Sequence, residues 1–283
     1  MRDDVSQRSG SGTVLSSDSW LGDHFEACAE PYAAMVGAAG LPSGGRVLDL
    51  GCGTGAFAAL LRDAVGPATE IVALDLDAAN VRQVAKHDAS AEAVVGSALQ
   101  LPFADGTFDA VWSANLTQYF DDADLEVLLA EAVRVARPGA PIAVKDVDMS
   151  ALRIFPGDAF LGPHLAEACV VTPPVSSESV GSIRGRALRG WLQRAGLEET
   201  WQRTFPIEYL GPLEGSALRL WAAWLPYLAR LASEKGVREA DLGAWEAVAD
   251  PEAAAAFVQR NEFYGCEVQV LAVGRKPSAR RRD

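Results

Sequence analysis

The 283-residue chain carries 38 acidic residues against 25 Lys and Arg, a formal net charge of −13. This length accommodates one large α/β domain with inserts, and the charge argues against nucleic acid as a partner, because phosphates are held by clustered positive groups. Cys28, Cys52, Cys169 and Cys266 have no paired or metal-like spacing and read as reduced thiols of a cytoplasmic protein, and no stretch reaches the ~20 apolar residues of a membrane span.

Residues 1–19, rich in Ser, Gly and Asp, read as a mobile tail without an apolar signal segment. Trp20, Phe25, Tyr32, Met35 and Val36 follow as an apolar leading segment, with a break expected around Pro31. Val47-Leu48-Asp49-Leu50 suits a buried strand and runs into Gly51, Gly53 and Gly55. A helical pattern then starts, with Phe57, Leu60, Leu61, Ala64 and Val65 on one face. Glycine at such a turn allows a tight bend and clears side chains from the path of a ligand. Ile71–Asp75 is a second strand, ending in an acid; Ala93–Ala98 a third; Phe108–Ser113 a fourth; Pro141–Asp146 a fifth. Between the last two, Leu125, Leu128, Leu129, Ala132, Val133 and Ala136 keep a helical period that Arg137-Pro138-Gly139 stops. Strands alternating with helices predict a parallel sheet covered on both faces.

Beyond Asp146 the pattern loosens. Residues 150–182 contain Pro156, Pro163, Pro173 and Pro174 and no sustained period, as expected of a long irregular loop or lid. Gly185–Gly196 reads as a helix, and Glu198–Leu210 and Cys266–Val273 as strands. Between those strands, Leu218, Trp221, Trp224, Leu225, Leu228 and Leu231 form an apolar helical stripe, expected to be kinked or interrupted at Pro226. Such a stripe is read first as a packing face and second as a lid or dimer contact.

By their letters Gly51, Gly53 and Ala56 also satisfy a dinucleotide fingerprint. Asp49 opposes it: a carboxylate two residues before the first glycine repels a pyrophosphate but suits a ligand bearing an ammonium group. Val47–Gly55, followed by Asp75, resembles the first motifs of the class I S-adenosylmethionine-dependent methyltransferases, over about residues 40–147 by motif order and more weakly over 182–275. The resemblance implies a Rossmann-like α/β fold: a seven-stranded, mostly parallel sheet with helices on both faces and a helical insert or lid. One domain spans residues 20–275, with inserts at about 150–180 and 212–262 and a tail over 276–283. It makes Glu198–Leu210 and Cys266–Val273 the closing antiparallel pair and folds the leading segment over the site. It implies S-adenosyl-L-methionine as cofactor, with Asp49, Gly51, Gly53 and Gly55 around its methionine part, Asp75 on the ribose and Leu76 against the adenine. Ser97 and Ala98 follow the third strand, Ser97 standing where similar members often carry an aspartate, and Asn115 should border the sulfonium.

Methyl transfer from a sulfonium asks mainly for alignment and exclusion of water. A base is needed only where the nucleophile must lose a proton. Asp146 and Asp148, at and just past the end of the fifth strand, are the candidates by topology, with Asp146 alternatively anchoring a lid through Arg153 or Arg184. Tyr119 and Gln118 could orient an acceptor. His24 and His164 could face the pocket, although a structural role is the more common one for each; His87 is expected to be solvated. No metal-ligand constellation is visible. The expected protein is a biosynthetic methyltransferase acting on a small-molecule acceptor, as a monomer or homodimer, without nucleic-acid or membrane partners. Its rivals are an enzyme of the same fold catalysing a cyclisation, a non-catalytic cofactor-binding subunit, and a nicotinamide oxidoreductase, the last opposed by Asp49.

Overall fold

The computed structural model describes residues 18–278. The expected N-terminal tail falls outside this range except for Asp18 and Ser19, which open helix α1 (Asp18–Ala27); the Arg280–Arg282 run also lies outside. The break in the leading segment comes at Cys28, and Pro31 sits inside the first turn of α2 (Ala29–Ala38), where a missing N–H costs nothing.

Five parallel strands follow in the expected order: β1 (Gly45–Leu50), β2 (Thr69–Asp75), β3 (Glu92–Val95), β4 (Ala110–Ala114) and β5 (Pro141–Val147). Between them lie α3 (Ala56–Val65), the short α4 (Ala78–Val81) and α5 (Asp122–Val135). The sheet runs β3-β2-β1-β4-β5 and closes with the antiparallel β8 (Tyr264–Arg275). On the far edge of β8 lies β7 (Glu198–Leu210), also antiparallel. An eighth strand, β6 (Arg153–Phe155), was not expected. It pairs with Tyr264–Cys266 of β8 while β5 pairs with Gln269–Arg275, so it continues the β5 edge after a 3-10 turn over Met149–Ala151.

One further expectation, and one of two alternatives in another, need correction. The segment 150–182 is not an irregular loop: it holds α6 (Leu161–Val171) and α7 (Ser177–Gly181). Pro163 lies in the first turn of α6, where proline is tolerated, so counting prolines overstated the disorder. The insert consists of α9 (Gly215–Lys235), α10 (Glu239–Glu246) and α11 (Pro251–Val258), and α9 runs on through Pro226 without interruption.

Both faces of the sheet are buried. Leu125, Leu128 and Leu129 of α5 and Leu188, Trp191 and Leu192 of α8 (Leu188–Arg194) cover one face. The other takes Tyr32 and Met35 of α2, Phe57 and Leu61 of α3, and the α9 stripe, whose Trp221 and Leu225 are fully buried. The Trp-rich stripe is therefore chiefly a packing face. Its partly buried margin, Tyr227 and Leu231, turns towards a cavity.

Candidate active site

In an open α/β sheet the ligand crevice lies beyond the carboxyl ends of the strands, where the strand order reverses. A cavity of about 420 Å³ occupies that place, beyond β1, β2 and β4, within the range of small-molecule sites. Asp49, Gly51, Gly53, Asp75, Leu76, Ser97, Ala98, Asn115 and Tyr119 all lie on its wall, and α1 and α2 roof it with His24, Phe25 and Tyr32.

The glycine turn is built for a close approach. Gly53 has φ +53° and only open space where a Cβ would stand. Gly55 is not on the cavity wall; with φ +90°, a Cβ there would come within 2.8 Å of the Val84 backbone. Its role is to close the turn against the next layer. Asp75 ties the same turn down, accepting the Gly53 N–H at 2.9 Å through one oxygen and the Asp77 N–H at 2.9 Å through the other.

Asp49 is buried, and its Oδ2 has no hydrogen-bond partner among the described residues. Burial first, then the charge of Asp75, pushes its carboxyl up to about 7. An unpartnered buried carboxylate oxygen on a cavity wall is costly unless a cation completes it.

A second cavity of about 140 Å³ adjoins the first, sharing Leu21, His24, Asn115 and Tyr119 with it. Its walls are largely apolar: Trp20 from α1, Leu165, Ala166 and Cys169 from α6, and Trp224, Tyr227, Leu228 and Leu231 from α9. Both inserts thus face this second space, and its polar lining comes from Glu267 and Gln269 of β8 and from Glu178, Ser179 and Ser182 at α7.

Asn115, at the junction, adopts φ +55°, uncommon for a residue with a side chain. Its Oδ1 accepts a 2.6 Å hydrogen bond from Lys145 Nζ, which also donates to the Tyr32 hydroxyl at 3.1 Å and lies 4.2 Å from the centre of that ring. Lys145 is fully buried; desolvation brings its ammonium down to about 8, opposed by the charges of Asp146 and Glu267. Behind His24, the buried Glu267 collects donors from four side chains. His24 Nε2 lies 3.2 Å from one of its oxygens; Tyr209 donates at 2.6 Å, Gln269 Nε2 at 2.8 Å and the Cys28 thiol at 3.2 Å. Burial alone would raise this carboxyl, but its contact with His24, then the hydrogen bonds from Tyr209 and Cys28, hold it down at about 2. His24, Cys28 and Glu267 place a nitrogen, a sulfur and an oxygen within 4.8 Å of one another. The Glu267 oxygens are already satisfied by hydrogen-bond donors, which describes a buried, hydrogen-bonded anion better than a cation site.

Three expected candidates fall away. Asp146 is fully buried and lines neither cavity. It accepts from the Thr117 hydroxyl at 2.6 Å and the Gln118 N–H at 3.1 Å, fixing the 3-10 turn Thr117–Tyr119 that places Gln118 and Tyr119 beside the cavities. Neither Arg153 nor Arg184 pairs with it; Arg184 bonds to Asp122 and to the Thr117 and Phe120 carbonyls. Asp148 caps the next turn through Ser150 and also stays off both walls. His164 binds Asp241 at 2.9 Å, joining α6 to α10 away from both cavities. Topology put the two aspartates at the right edge of the sheet, but their side chains point into the protein. The residues that sequence reasoning missed are Lys145, Glu267, Gln269, Cys28 and Tyr209. A signal existed: Glu267 and Gln269 are polar at alternate positions of an otherwise apolar strand, hence on one face.

A methyltransferase-domain family model matches residues 47–139, from β1 to the turn before β5. The match covers most of the first cavity's walls and none of the inserts. The chain is 34% identical over 140 residues to the malonyl-[acyl-carrier protein] O-methyltransferase of Methylococcus capsulatus, covering 44% of this chain and 50% of that protein. It is 34% identical over 157 residues to the demethylmenaquinone methyltransferase of Beutenbergia cavernae, covering 53% and 63%. The chain thus spans half to under two thirds of the length of these two curated relatives. Among solved structures, the YcgJ protein from Bacillus subtilis superposes with a TM-score of 0.52 at 18% identity, over 89% of this chain and all of that one. A phosphoethanolamine N-methyltransferase 2 of Haemonchus contortus, in complex with S-adenosyl-L-methionine, superposes with 0.53 at 13%, over 93% and 58%. At these identities the likeness is one of fold.

Proposed function

We propose that the chain, whose residues 47–139 match a methyltransferase-domain family model, is a class I S-adenosylmethionine-dependent methyltransferase that transfers a methyl group from S-adenosyl-L-methionine to a small, largely apolar acceptor in a biosynthetic reaction. The observation that carries this reading is the pair of joined cavities, one ending on an unpartnered carboxylate beside a glycine turn, the other apolar and roofed by the inserts.

The residues fit the cofactor. Asp49 offers its bare oxygen to the amino-acid ammonium, Gly53 leaves room for the chain of atoms above the turn, and Asp75 is free to accept ribose hydroxyls on its remaining lone pairs. Leu76, 70% exposed, and Ala98 offer apolar surface to the adenine, with Ser97 beside them. The bound cofactor supplies an activated methyl group. The protein's contribution is then to hold an acceptor in line with it and to keep water out. Asn115 and Tyr119, common to both cavities, border the point of transfer, and Trp20 and α9 close the apolar side.

Calorimetry with S-adenosylhomocysteine tests the reading. Binding by the full chain, with Asp75→Ala weakening it by about 1–3 kcal/mol, is the expected outcome. Binding of a nicotinamide dinucleotide instead would overturn it. Release of S-adenosylhomocysteine from S-adenosylmethionine on addition of ring-sized phenols and amines then separates methyl transfer from reactions that leave the cofactor intact.

A further inference from the structure

Of the four residues common to the two cavities, Leu21, His24, Asn115 and Tyr119, only one is an imidazole, and it is the one tied to a buried carboxylate. Glu267, ionised and surrounded by donors, accepts the Nε2–H of His24. That bond selects the tautomer. The lone pair of the neutral ring is then on Nδ1, for which no partner is recorded among the described residues. Beside Glu267, Gln269 is fully buried; its Nε2 donates to Glu267, and its Oε1 has no partner among the described residues. Gln269 thus holds Glu267 through its side-chain amide, which is enclosed in the protein.

We propose that His24 is the general base of the methyl transfer, held by Glu267 as a positioning residue, and that the acceptor is a single-ring molecule, or a ring at the end of a larger one, carrying a hydroxyl or amine. The size follows from the cavity: about 140 Å³, close to the ~150 Å³ that a benzene ring fills. The proposal deepens the methyltransferase reading and rests on it. The acceptor oxygen or nitrogen attacks the methyl carbon, the carbon–sulfur bond breaks with its electron pair going to sulfur, and S-adenosylhomocysteine leaves. The heteroatom's proton passes to His24 Nδ1, giving an imidazolium paired with Glu267, and is later lost to solvent.

The groups around His24 favour this direction of proton flow. From β8 it faces Glu267; from α2, the Tyr32 hydroxyl, 3.5 Å from Nε2; from the α1–α2 break, Cys28, with Tyr209 of β7 behind it. Burial keeps the Cys28 thiol and the Tyr32 and Tyr209 phenols well above their ordinary range, so all three remain neutral donors near neutral pH. Lys145, one contact further at Tyr32, and Tyr119 complete the surroundings.

The test uses the full chain saturated with S-adenosylhomocysteine, which has no methyl to give, and 4-nitrophenol as a probe whose absorption distinguishes phenol from phenolate. At a pH one unit below the free probe's midpoint, binding to the wild type should raise the phenolate fraction. In His24→Gln the phenolate-to-phenol ratio of bound probe should fall by roughly tenfold or more, a full unit of probe ionisation. Glu267→Gln should move it the same way; because that site is buried, His24→Gln, on the cavity wall, decides. Circular dichroism and a thermal melt show that each variant is folded. Equal ionisation of bound probe in wild type and His24→Gln overturns the base, and failure of the wild-type complex to bind the phenol overturns the acceptor class. Failure of the wild type to bind S-adenosylhomocysteine overturns the cofactor reading itself.

Discussion

Asp49 should make cofactor binding depend on pH, and Asp49→Asn should abolish that dependence. In the free protein burial and the neighbouring Asp75 hold the Asp49 carboxyl up at about 7, so below that pH the site is mostly neutral. An ammonium seated on the bare Oδ2 restores a charge partner and returns the group towards its ordinary value of 3.8. Binding below pH 7 must therefore release a proton. Each unit of pKa is worth about 1.4 kcal/mol, so affinity for S-adenosylhomocysteine should fall about 100-fold, near 3 kcal/mol, between pH 8 and pH 5. The sign for the unliganded protein is opposite. An acid with a raised folded-state pKa favours the fold when protonated, so stability is lost as pH rises from about 4 to 7, and the ligand repays this above 7. Calorimetry at pH 6 in two buffers of different ionisation enthalpy would report close to one proton released by the wild type and none by Asp49→Asn. The same proton release from both proteins, or a flat affinity across this range, would refute the pairing of Asp49 with the ammonium.

Asp146→Asn should act on stability and not on proton transfer. Weakening the acceptor for the Thr117 hydroxyl and Gln118 N–H should cost about 1–3 kcal/mol in denaturant unfolding, while ionisation of bound 4-nitrophenol stays as in the wild type. Gly55→Ala places a Cβ 2.8 Å from the Val84 Cα at φ +90°, and should lower stability by about 1–3 kcal/mol in thermal melts and weaken S-adenosylhomocysteine binding with it. Ala166→Phe, on the α6 wall of the second cavity, should remove 4-nitrophenol binding and leave S-adenosylhomocysteine affinity within a few-fold. Loss of both would mean that the two spaces are one site. In hydrogen exchange, α6 and α9 should gain protection when the phenol joins the cofactor complex, and protection confined to residues before Pro141 would make the inserts mere scaffolding.

What was legible in the sequence was whatever follows from local period and from glycine. β1, β2, β4 and β5 are set off by helices because apolar runs of strand length alternate with 3.6-residue patterns, β3 and β4 being joined without one, and Gly51, Gly53 and Gly55 mark the turn because only glycine takes those backbone angles at low cost. The cofactor-side candidates came from the same signals, and eight of those nine lie on the first cavity, Gly55 being the exception. α6 was missed for a physical reason. Its prolines were counted as breakers without regard to position, although Pro163 falls in the first turn, where no intrahelical bond is lost.

The candidate base was misplaced because strand topology fixes where a residue lies along an edge but not what its side chain meets. Asp146 stands next to Lys145 in β5, so the two side chains leave opposite faces of the sheet. Lys145 goes towards Tyr32 and Asn115, and Asp146 goes under the Thr117–Tyr119 turn. An apolar strand interrupted by Lys-Asp offers two polar residues and no sequence rule for choosing between their faces. The choice is made by helices α1 and α2, more than 100 residues earlier in the chain, which bring Tyr32 and His24 over one face alone. The same long-range contact gives Glu267 its meaning. In β8 it reads as one acid in an apolar strand, yet His24 is 243 residues away and Tyr209 is 58. Buried charge is retained only where such partners converge. A strand of this kind is therefore better read for which polar residues share a face, as Glu267 and Gln269 do, than for which acid stands nearest its end.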